Sequence, residues 1–431
     1  MAARGAALAA LQKFEKGMIE RVGEELQHKR LEPRDAALAA DLALGVVRND
    51  RFLDLVLSGF CTRGLPKDPR TRSALRMGAY QLLLQEGMPA RAAVYETVAL
   101  LQRDQAFVNA VLRRCSESVH DRPADPTLPA TEIELSRSRC FVLRPPGLAG
   151  SKEPLALRHS LPDFLVAKWR AAHGDLQTQR ICAAASSQSA LFLRACNGID
   201  AETLAKMLLE DAVRTSPTSH PLVLRVENGA PFGSEAFRRG MFVAQDPTAV
   251  AAAEAVGAEP GMAILDLCAA PGTKATLLAE RVKPGGVVFA YDPDPVRRKR
   301  IVENANRLRL ADTLRVIADP SEAPLVDAVL ADVPCSNTGV LQRRVEVRRR
   351  LLPGTFSDMA AIQRPILELA AQKAKPGGVV VYSTCSIEEE ENGAVARAVA
   401  ASHGLTIERE HLSLPELRMR DGGYFARMLR S

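Results

Sequence analysis

Apolar residues in the first quarter of the chain recur at the three- and four-residue spacing typical of amphipathic helices. RDAALAADLALGVVRND (34–50) and RSALRMGAYQLLLQ (72–85) show the pattern most clearly. Residues 1–125 are therefore predicted to form an all-α domain. A purely structural bundle explains this pattern as well as an RNA-binding one does. The second interpretation depends on whether the fold gathers seven arginines into one phosphate-facing surface: Arg30, Arg34, Arg48, Arg72, Arg76, Arg113 and Arg114.

The pattern changes twice in the middle of the chain. Residues 126–154 are rich in proline, glycine and small side chains, which is typical of a linker. Residues 155–240 mix helical stretches such as AETLAKMLLEDA with short strand-like runs such as ALFLRAC, which predicts a small α+β domain.

From residue 241 to 431, continuous apolar runs alternate with amphipathic helical stretches. This alternation predicts a doubly wound, Rossmann-like α/β domain, so the chain as a whole is expected to be multidomain. Ligands of such sheets bind at the carboxyl ends of the strands. The predicted strands are AILDLC (263–268), VVFAYD (287–292), LRVIAD (314–319), DAVLAD (327–332) and GVVVYST (378–384).

Composition narrows the class of protein. The 431 residues are 47% hydrophobic and 25% charged, which excludes wholesale disorder. The net charge of +6 is small for this length, so an argument for an anionic partner depends on where the positive residues cluster. The eight cysteines are scattered without a CxxC pair, so neither a disulfide framework nor a metal site is expected. Apolar runs fall short of the ~18 residues of a membrane span, so we expect a cytoplasmic protein without a membrane partner.

Small residues follow the first strand of this domain, in DLCAAPGTK (266–274), and lead directly into a helix. The turn lacks GxGxxG and GxxxxGK[ST] spacing, which makes dinucleotide and nucleoside-triphosphate sites poor interpretations. Acids stand at three further strand ends: Asp292, Asp319 and Asp332. Any one acid is explained equally well as a helix cap or turn residue. Together they favour an adenosine-bearing ligand without pyrophosphate, and S-adenosylmethionine fits better than NAD.

Two cysteines follow the last two predicted strands, Cys335 in ADVPCSNTGVL and Cys385 in YSTCSIEEEEN. A free cysteine is more often a small buried hydrophobe, but both of these lie in polar turns at the ligand edge of the sheet. A thiolate that adds to carbon 6 of cytosine makes carbon 5 nucleophilic enough to accept a methyl group. Lys274 would favour the thiolate, and Asp332 is placed to hydrogen-bond the edge of the base.

These motifs resemble the signature stretches of the NOL1/NOP2/Sun RNA cytosine 5-methyltransferases, and in detail those of the bacterial Sun (Fmu) branch. AFVNAVLRR resembles the NusB-like RNA-binding domain of that branch, RHSLPDFLVAKW its middle RNA-binding domain, and DGGYFARMLR its closing strand. The resemblance implies that Cys385 is the covalent nucleophile, Cys335 assists product release and Asp332 also reaches the base. The implied cofactor site comprises Cys268, Ala269, Ala270, Pro271, Gly272, Thr273, Lys274, Asp292, Asp319 and Asp332.

The resemblance also implies the partner, which is RNA, most simply 16S ribosomal RNA or a small-subunit assembly intermediate. We expect the protein to act as a monomer. Three departures from the family's motifs bear on cofactor affinity and RNA-site choice: Thr273 replaces a glycine, Asn337 replaces a glycine, and VEVRRR (345–350) replaces Pro-Asp and an aromatic residue.

Positive residues are densest in two runs of the chain, 295–300 and 342–350. A solvated face explains the first equally well, whereas RNA-backbone contact is expected of the second because it follows Cys335.

Two rival functions remain at this point. An amino-directed methyltransferase places its acid-x-Pro motif after the same strand, but such enzymes prefer an aromatic residue at the position of Cys335 and do not need Cys385. A non-catalytic RNA-binding or ribosome assembly factor is the other rival, with the altered GTKA turn (272–275) as a sign of lost cofactor binding.

Overall fold

The computed structural model describes residues 2–85, 87–145 and 147–431. These residues divide into two compact units. Unit 1 comprises residues 1–186 together with the later segment Arg344–Leu351, and unit 2 comprises residues 187–343 and 352–431. Within the described part of the chain, no helix has the length and apolar character needed to cross a membrane.

Unit 1 is mainly helical, and it extends beyond the predicted all-α domain 1–125 to include residues 155–186, expected in the small α+β domain 155–240. A proline at the first position begins α3, and the carboxylate of Asp68 caps α5 by accepting a hydrogen bond from the Thr71 N–H. Its strands are β1 (Val119–His120), β2 (Glu132–Ser136) and β3 (Arg139–Val142). Its helices are α1 (Ala2–Glu15), α2 (Val22–Gln27), α3 (Pro33–Arg48), α4 (Asp50–Ser58), α5 (Pro69–Leu83), α6 (Ala90–Val98), α7 (Gln105–Glu117), α8 (Pro154–Arg158) and α9 (Asp163–Ser186, interrupted at Gly174).

The segment expected to be a linker, 126–154, contains regular structure. Its strands β2 and β3 pair antiparallel, and β1 adds to the other edge of β3. Ile133 and Phe141 point into the same apolar core as the helices of unit 1. The apolar alternation in this segment extends over only four or five residues per strand, so the surrounding prolines and glycines dominate its composition.

The arginine-rich run 345–350 does not have the role expected of it, because Arg344–Leu351 packs within unit 1. Arg348 is 3% exposed and donates hydrogen bonds to the carbonyl oxygens of Arg48 (2.5 Å) and Ala185 (2.8 Å). Arg349 pairs with Asp50 and Glu15. The prediction that this run as a whole contacts the RNA backbone is therefore wrong: two of its arginines satisfy buried carbonyl and carboxylate groups.

Two of the seven N-terminal arginines are likewise internal. Arg76 is buried between the carboxylates of Asp54 (2.6 Å) and Glu15 (2.8 Å), and Arg48 is 7% exposed. These two side chains cannot form part of a phosphate-facing surface.

Unit 2 contains two sheets. The smaller one has four antiparallel strands in the order β5-β6-β4-β7 and is covered by α10 and α11. Its elements are β4 (Leu191–Ala195), α10 (Ala201–Glu210), β5 (Arg214–Pro217), β6 (Val223–Asn228), α11 (Glu235–Arg238) and β7 (Phe242–Ala244).

The larger sheet of unit 2 has seven strands in the order β10-β9-β8-β11-β12-β14-β13. The first five are parallel and match the five predicted strands, whereas the C-terminal hairpin β13–β14 joins β12 in antiparallel fashion. Strands β9 and β10 extend the sheet on one side of β8, and β11 and β12 extend it on the other. The strand order therefore reverses between β8 and β11, which places a ligand crevice at their carboxyl ends. The elements are α12 (Pro247–Glu254), β8 (Ala263–Asp266), α13 (Thr273–Arg281), β9 (Val287–Ala290), α14 (Pro295–Arg307), β10 (Leu314–Val316), β11 (Val326–Asp332), α15 (Thr355–Lys373), β12 (Ala374–Thr384), α16 (Gly393–His403), β13 (Leu405–Ser413) and β14 (Gly423–Arg430).

Candidate active site

The turn between β8 and α13 is held by hydrogen bonds from its backbone N–H groups to the two residues that follow β9. The Ala269 N–H donates to the Tyr291 carbonyl (2.8 Å), and the Ala270 N–H donates to Oδ2 of Asp292 (3.2 Å). Gly272 precedes the first turn of α13 with φ +101°, and a Cβ there would lie 3.2 Å from Ile301. The sequence of small residues therefore brings backbone close to a helix N-terminus, where a ligand can approach both.

Asp292 and Asp319 differ in their surroundings. Asp292 is fully buried, and the guanidinium of Arg297 lies 3.4 Å from its Oδ2. Asp319 is exposed and caps a short 3₁₀ turn by accepting from the Ser321 N–H (2.8 Å). The structure thus gives Asp319 a local capping contact and places Asp292 against the turn after β8.

Three charged side chains meet where β8 and β11 end. The Lys274 ammonium lies 2.6 Å from Oδ2 of Asp332, whose Oδ1 accepts a hydrogen bond from Ser383. Burial lowers the pKa of Lys274, but the carboxylate of Asp332 outweighs it and the pKa is raised overall. Burial, together with the charge of Asp332, raises the pKa of Asp266 to about 7. Lys274 therefore stays a cation that neutralises a buried acidic cluster.

The two cysteines predicted to converge do so. Cys335 follows β11 and Cys385 follows β12, which are neighbouring parallel strands paired through Asp332 and Ser383. The two Sγ atoms lie 3.1 Å apart, and Sγ of Cys385 lies 3.3 Å from Oδ1 of Asn337. All eight cysteines of the chain are free. The pair is therefore a dithiol at the carboxyl edge of the sheet.

The two thiols are not equivalent. A hydrogen bond with Cys385, followed by burial, raises the pKa of Cys335 well above its usual range. Burial thus favours the protonated form of Cys335, whose S–H can donate to Sγ of Cys385. Cys385 also lines a cavity of about 240 Å³ together with Thr273, Lys274 and Asp332, and Cys335 is not among the residues that line it. Both features favour Cys385 as the nucleophile.

Close backbone contacts fix the loop that carries Cys335. The Gly339 N–H donates to the Cys385 carbonyl (3.0 Å), and the Gly422 N–H donates to the Gly339 carbonyl (2.8 Å). A Cβ on Gly339 would lie 2.6 Å from the backbone of Gly422. The glycine at 339 is therefore required for the loop to reach the cysteine turn, whereas Asn337 takes a left-handed conformation (φ +62°) that asparagine tolerates.

A second charged cluster forms another wall of the cavity. Arg343 lies 3.1 Å from Oδ2 of Asp246 and also contacts the carboxylate of Asp421. Burial raises the pKa of Asp421 to about 7, with the nearby Asp246 adding to the shift and Arg343 opposing it. One arginine thus holds two buried carboxylates together across the cavity.

Comparison with known proteins places this arrangement in a family. Residues 254–419 match the model of the 16S rRNA methyltransferase RsmB/F family, and residues 1–117 match the NusB family. The chain is 31% identical over 86% of its length, and over 79% of the relative's, to a ribosomal RNA small subunit methyltransferase B from Thermus thermophilus. The chain belongs to the ribosomal RNA small subunit methyltransferase B family. It is also 29% identical to a probable member from Synechocystis over 89% of this chain and 84% of that one.

Solved structures share the fold of this chain. The structure titled PH0851 covers 99% of this chain and 98% of its own with a TM-score of 0.75 at 22% identity. NSun6 from Pyrococcus horikoshii, solved with SFG, covers 62% of this chain and 98% of its own with a TM-score of 0.57 at 17% identity. At these identities the likeness supports the architecture, namely the Rossmann-like methyltransferase fold predicted for the C-terminal domain.

The structure brings most of the predicted site residues to one edge of the sheet. Cys335, Cys385, Asp332 and Lys274 lie together, while Asp319 lies three residues beyond β10 on the surface. In the part of the chain that the structure describes, no group of three or more potential ligands could hold a metal ion. Burial and the neighbouring Asp266 carboxylate raise the pKa of Cys268, which disfavours its thiolate form.

Sequence reasoning missed several residues of the site. Asp266 ends β8 as Asp332 ends β11, so the strand-end rule would have included it. No local signal marks the remaining ones, because each has a partner far away in the sequence: Asp246, Arg343, Glu391 and Asp421.

Proposed function

We propose that this chain transfers a methyl group from S-adenosylmethionine to carbon 5 of a cytosine in RNA, through a covalent adduct between Cys385 and carbon 6. The observation that carries the proposal is the 3.1 Å pair of thiols, with Cys385 on the cavity beside Lys274 and Asp332. A methyltransferase that used no covalent adduct would need neither a nucleophile at this edge nor a second thiol behind it.

The residues present fit S-adenosylmethionine. Oδ2 of Asp266 is buried and has no hydrogen-bond partner among residues 2–85, 87–145 and 147–431, so an acceptor stands ready at the end of β8. Asp292 offers a ribose acceptor at the end of β9, and the turn Cys268–Lys274 offers backbone at a helix N-terminus. Asp319 is assigned to the same site by family resemblance. The bound cofactor would supply an electrophilic methyl group.

Cys385 begins the reaction as a thiolate. Its addition to carbon 6 of the ring breaks the 5,6 double bond and makes carbon 5 nucleophilic, so that carbon 5 can be methylated. Lys274 lines the same cavity as Cys385 and supplies a positive charge there. Asp332, held by Lys274 and Ser383, hydrogen-bonds the edge of the ring. The protein thus holds the base by its polar edge while the thiolate attacks the opposite side of the ring.

Cys335 acts at the end of the cycle. After methylation, carbon 5 must lose its proton so that the 5,6 double bond reforms and the Cys385 thiolate leaves. Cys335 lies 3.1 Å from Cys385. While Cys385 is bonded to carbon 6 its sulfur carries no charge, so Cys335 can ionise, accept the carbon 5 proton and become a thiol as Cys385 leaves as the thiolate. The roles assigned by family resemblance are therefore chemically consistent with the geometry.

The proposed substrate is small-subunit (16S) ribosomal RNA or an assembly intermediate that contains it. The relatives' names specify ribosomal RNA of the small subunit, and a NusB family match covers residues 1–117. A target cytosine must leave the base stack before a thiol can reach carbon 6. We propose that the enzyme acts as a monomer, and in the cytoplasm, where a reducing environment keeps both thiols free.

Methyl transfer from labelled S-adenosylmethionine to 16S RNA from a strain lacking the gene tests the proposal. Digestion to nucleosides and mass spectrometry should give 5-methylcytidine from one or few sites, located by bisulfite sequencing. An N4-methylcytidine product would identify an amino-directed methyltransferase. Calorimetry that shows RNA binding without S-adenosylmethionine binding would instead identify a non-catalytic assembly factor.

A further inference from the structure

We propose that Glu391 is a positioning residue that ties the turn of Cys335 to the turn of Cys385 and so sets the efficiency of product release. This inference rests on the proposed function for its catalytic consequence. Its structural claim is that Glu391 keeps the two thiols within reach of each other, and the binding of an arsenical to the two thiols tests this claim without RNA.

Glu391 contacts the residues that directly follow both cysteines. Its carboxylate is fully buried and accepts hydrogen bonds from the N–H of Ser336 (2.8 Å) and from the hydroxyl of the same residue. It also accepts from the hydroxyl of Ser386 (2.8 Å). Ser336 follows Cys335 and Ser386 follows Cys385, so one side chain bridges the two cysteine turns.

The contacts of Glu391 require a carboxylate. The Ser336 N–H and the amide nitrogen of Gln363 (3.0 Å) can only donate, and both meet Oε2. The two serine hydroxyls meet Oε1. An ionised carboxylate can accept all four hydrogen bonds, two on each oxygen. A glutamine at this position would place its NH₂ group, which is itself a donor, against one of the two pairs of donors.

Gln363 extends this network to the residue before Cys335. Its amide nitrogen also donates to the Pro334 carbonyl (3.0 Å), and its Oε1 accepts from the hydroxyl of Tyr382 (3.0 Å), which fixes the orientation of the amide. Glu391 and Gln363 thus hold Cys335 from both sides, through Ser336 and Pro334.

The two cysteine turns do not depend equally on this network. Cys385 directly follows β12, whose last residue, Thr384, pairs with Tyr424 of β14, and the Ser386 carbonyl accepts from Asn392 (3.0 Å). Cys335 lies in a loop outside any strand. Loss of the Glu391 contacts should therefore displace Cys335 more than Cys385. The expected defect is in elimination, the step assigned to Cys335, rather than in adduct formation.

Phenylarsine oxide measures the separation of the two thiols directly. Its arsenic(III) forms two As–S bonds with a close pair of thiols, and the oxygen leaves as water with the two thiol protons. The wild-type protein should bind one equivalent of phenylarsine oxide at this pair of thiols. Cys335→Ala and Cys385→Ala should each abolish this binding. Glu391→Gln should weaken this binding about ten- to a hundred-fold, which corresponds to losing one or two charged hydrogen bonds.

The matched control is Glu389→Gln, which changes an exposed glutamate of the same turn paired with Arg397. It should bind phenylarsine oxide as the wild type does. Ser386→Ala removes a single contact to Glu391 and should give a smaller loss, which keeps the test available if Glu391→Gln folds poorly. Wild-type arsenical affinity in a folded Glu391→Gln protein would overturn the proposal.

The methylation assay tests the catalytic consequence of replacing Glu391. Glu391→Gln should lower kcat at least tenfold with little change in KM for RNA, and should accumulate a protein–RNA adduct as Cys335→Ala does. If Glu391 acts through Cys335, the double variant should be no slower than Cys335→Ala alone. Additive losses would show a general structural role. If the wild type itself gives neither product nor adduct, the proposed function fails, while the arsenical arm still decides the role of Glu391.

Discussion

Replacing Arg348 by alanine should lower the unfolding free energy of unit 1. It should leave the salt dependence of RNA affinity unchanged. Arg348 is 3% exposed and donates to the carbonyl oxygens of Arg48 (2.5 Å), Ala185 (2.8 Å) and His159 (3.3 Å). These acceptors would lose their donor in a site that water does not reach. Each buried carbonyl left without its donor costs about 1–3 kcal/mol of unfolding free energy.

The matched control for Arg348 is Arg350→Ala in the same segment. Arg350 lies 2.7 Å from Glu20, with the two side chains 50% and 80% exposed, so its loss should cost less than about 1 kcal/mol. Comparing the two variants separates burial from the mere number of positive charges in the run.

The fluorescence of the single tryptophan of the chain, Trp169, reports this unfolding selectively, because Trp169 is buried in α9 of unit 1. A urea titration followed at this residue gives the change in unfolding free energy. RNA affinity should be measured in parallel as a function of salt. An unchanged urea midpoint for Arg348→Ala, together with a salt slope reduced by about 0.7, would show that Arg348 contacts a phosphate and refute its internal role.

Two further changes test the cofactor site and the packing of unit 1. Asp292→Ala should weaken S-adenosylmethionine binding, measured by calorimetry, about ten- to a hundred-fold because it removes the ribose acceptor. Replacing the exposed Asp312 by alanine should leave the affinity unchanged. Equal affinities for the two variants would exclude Asp292 as the ribose acceptor. Burial, and then Arg158 and Arg348, lower the pKa of His159 to about 3. The unfolded chain binds its proton near pH 6.5, so stability should fall as pH drops below that value, by about 2 kcal/mol at pH 5. His159→Gln should flatten this dependence in the Trp169 fluorescence assay, and an unaltered pH profile would contradict it.

The sequence predicts the elements of both units well where a single periodicity runs through them. Helices of unit 1 and the five parallel strands of unit 2 are marked by apolar spacing alone. The meeting of Cys335 and Cys385 follows from a topological rule, since strands β11 and β12 end at the same edge.

Other features depend on contacts that no local pattern encodes. The run of four glutamates at 388–391 reads as a solvated stretch, yet Glu388 is 1% exposed and Glu391 fully buried, while the two between them face solvent. An arginine-rich run has the same appearance whether it contacts RNA or buried carbonyls, as Arg348 shows. Arg343 meets Asp246 from 97 residues away. Burial of charge is decided by tertiary partners, and these are set only by the complete fold.

The most direct test of the covalent mechanism is denaturing electrophoresis of labelled RNA incubated with S-adenosylmethionine and each of the two cysteine variants. Cys335→Ala should accumulate a protein–RNA adduct that requires the cofactor, because addition proceeds and elimination does not. Cys385→Ala should give neither adduct nor 5-methylcytidine. Full methylation by Cys385→Ala, with loss of both product and adduct in Cys335→Ala, would contradict the roles assigned to the two thiols.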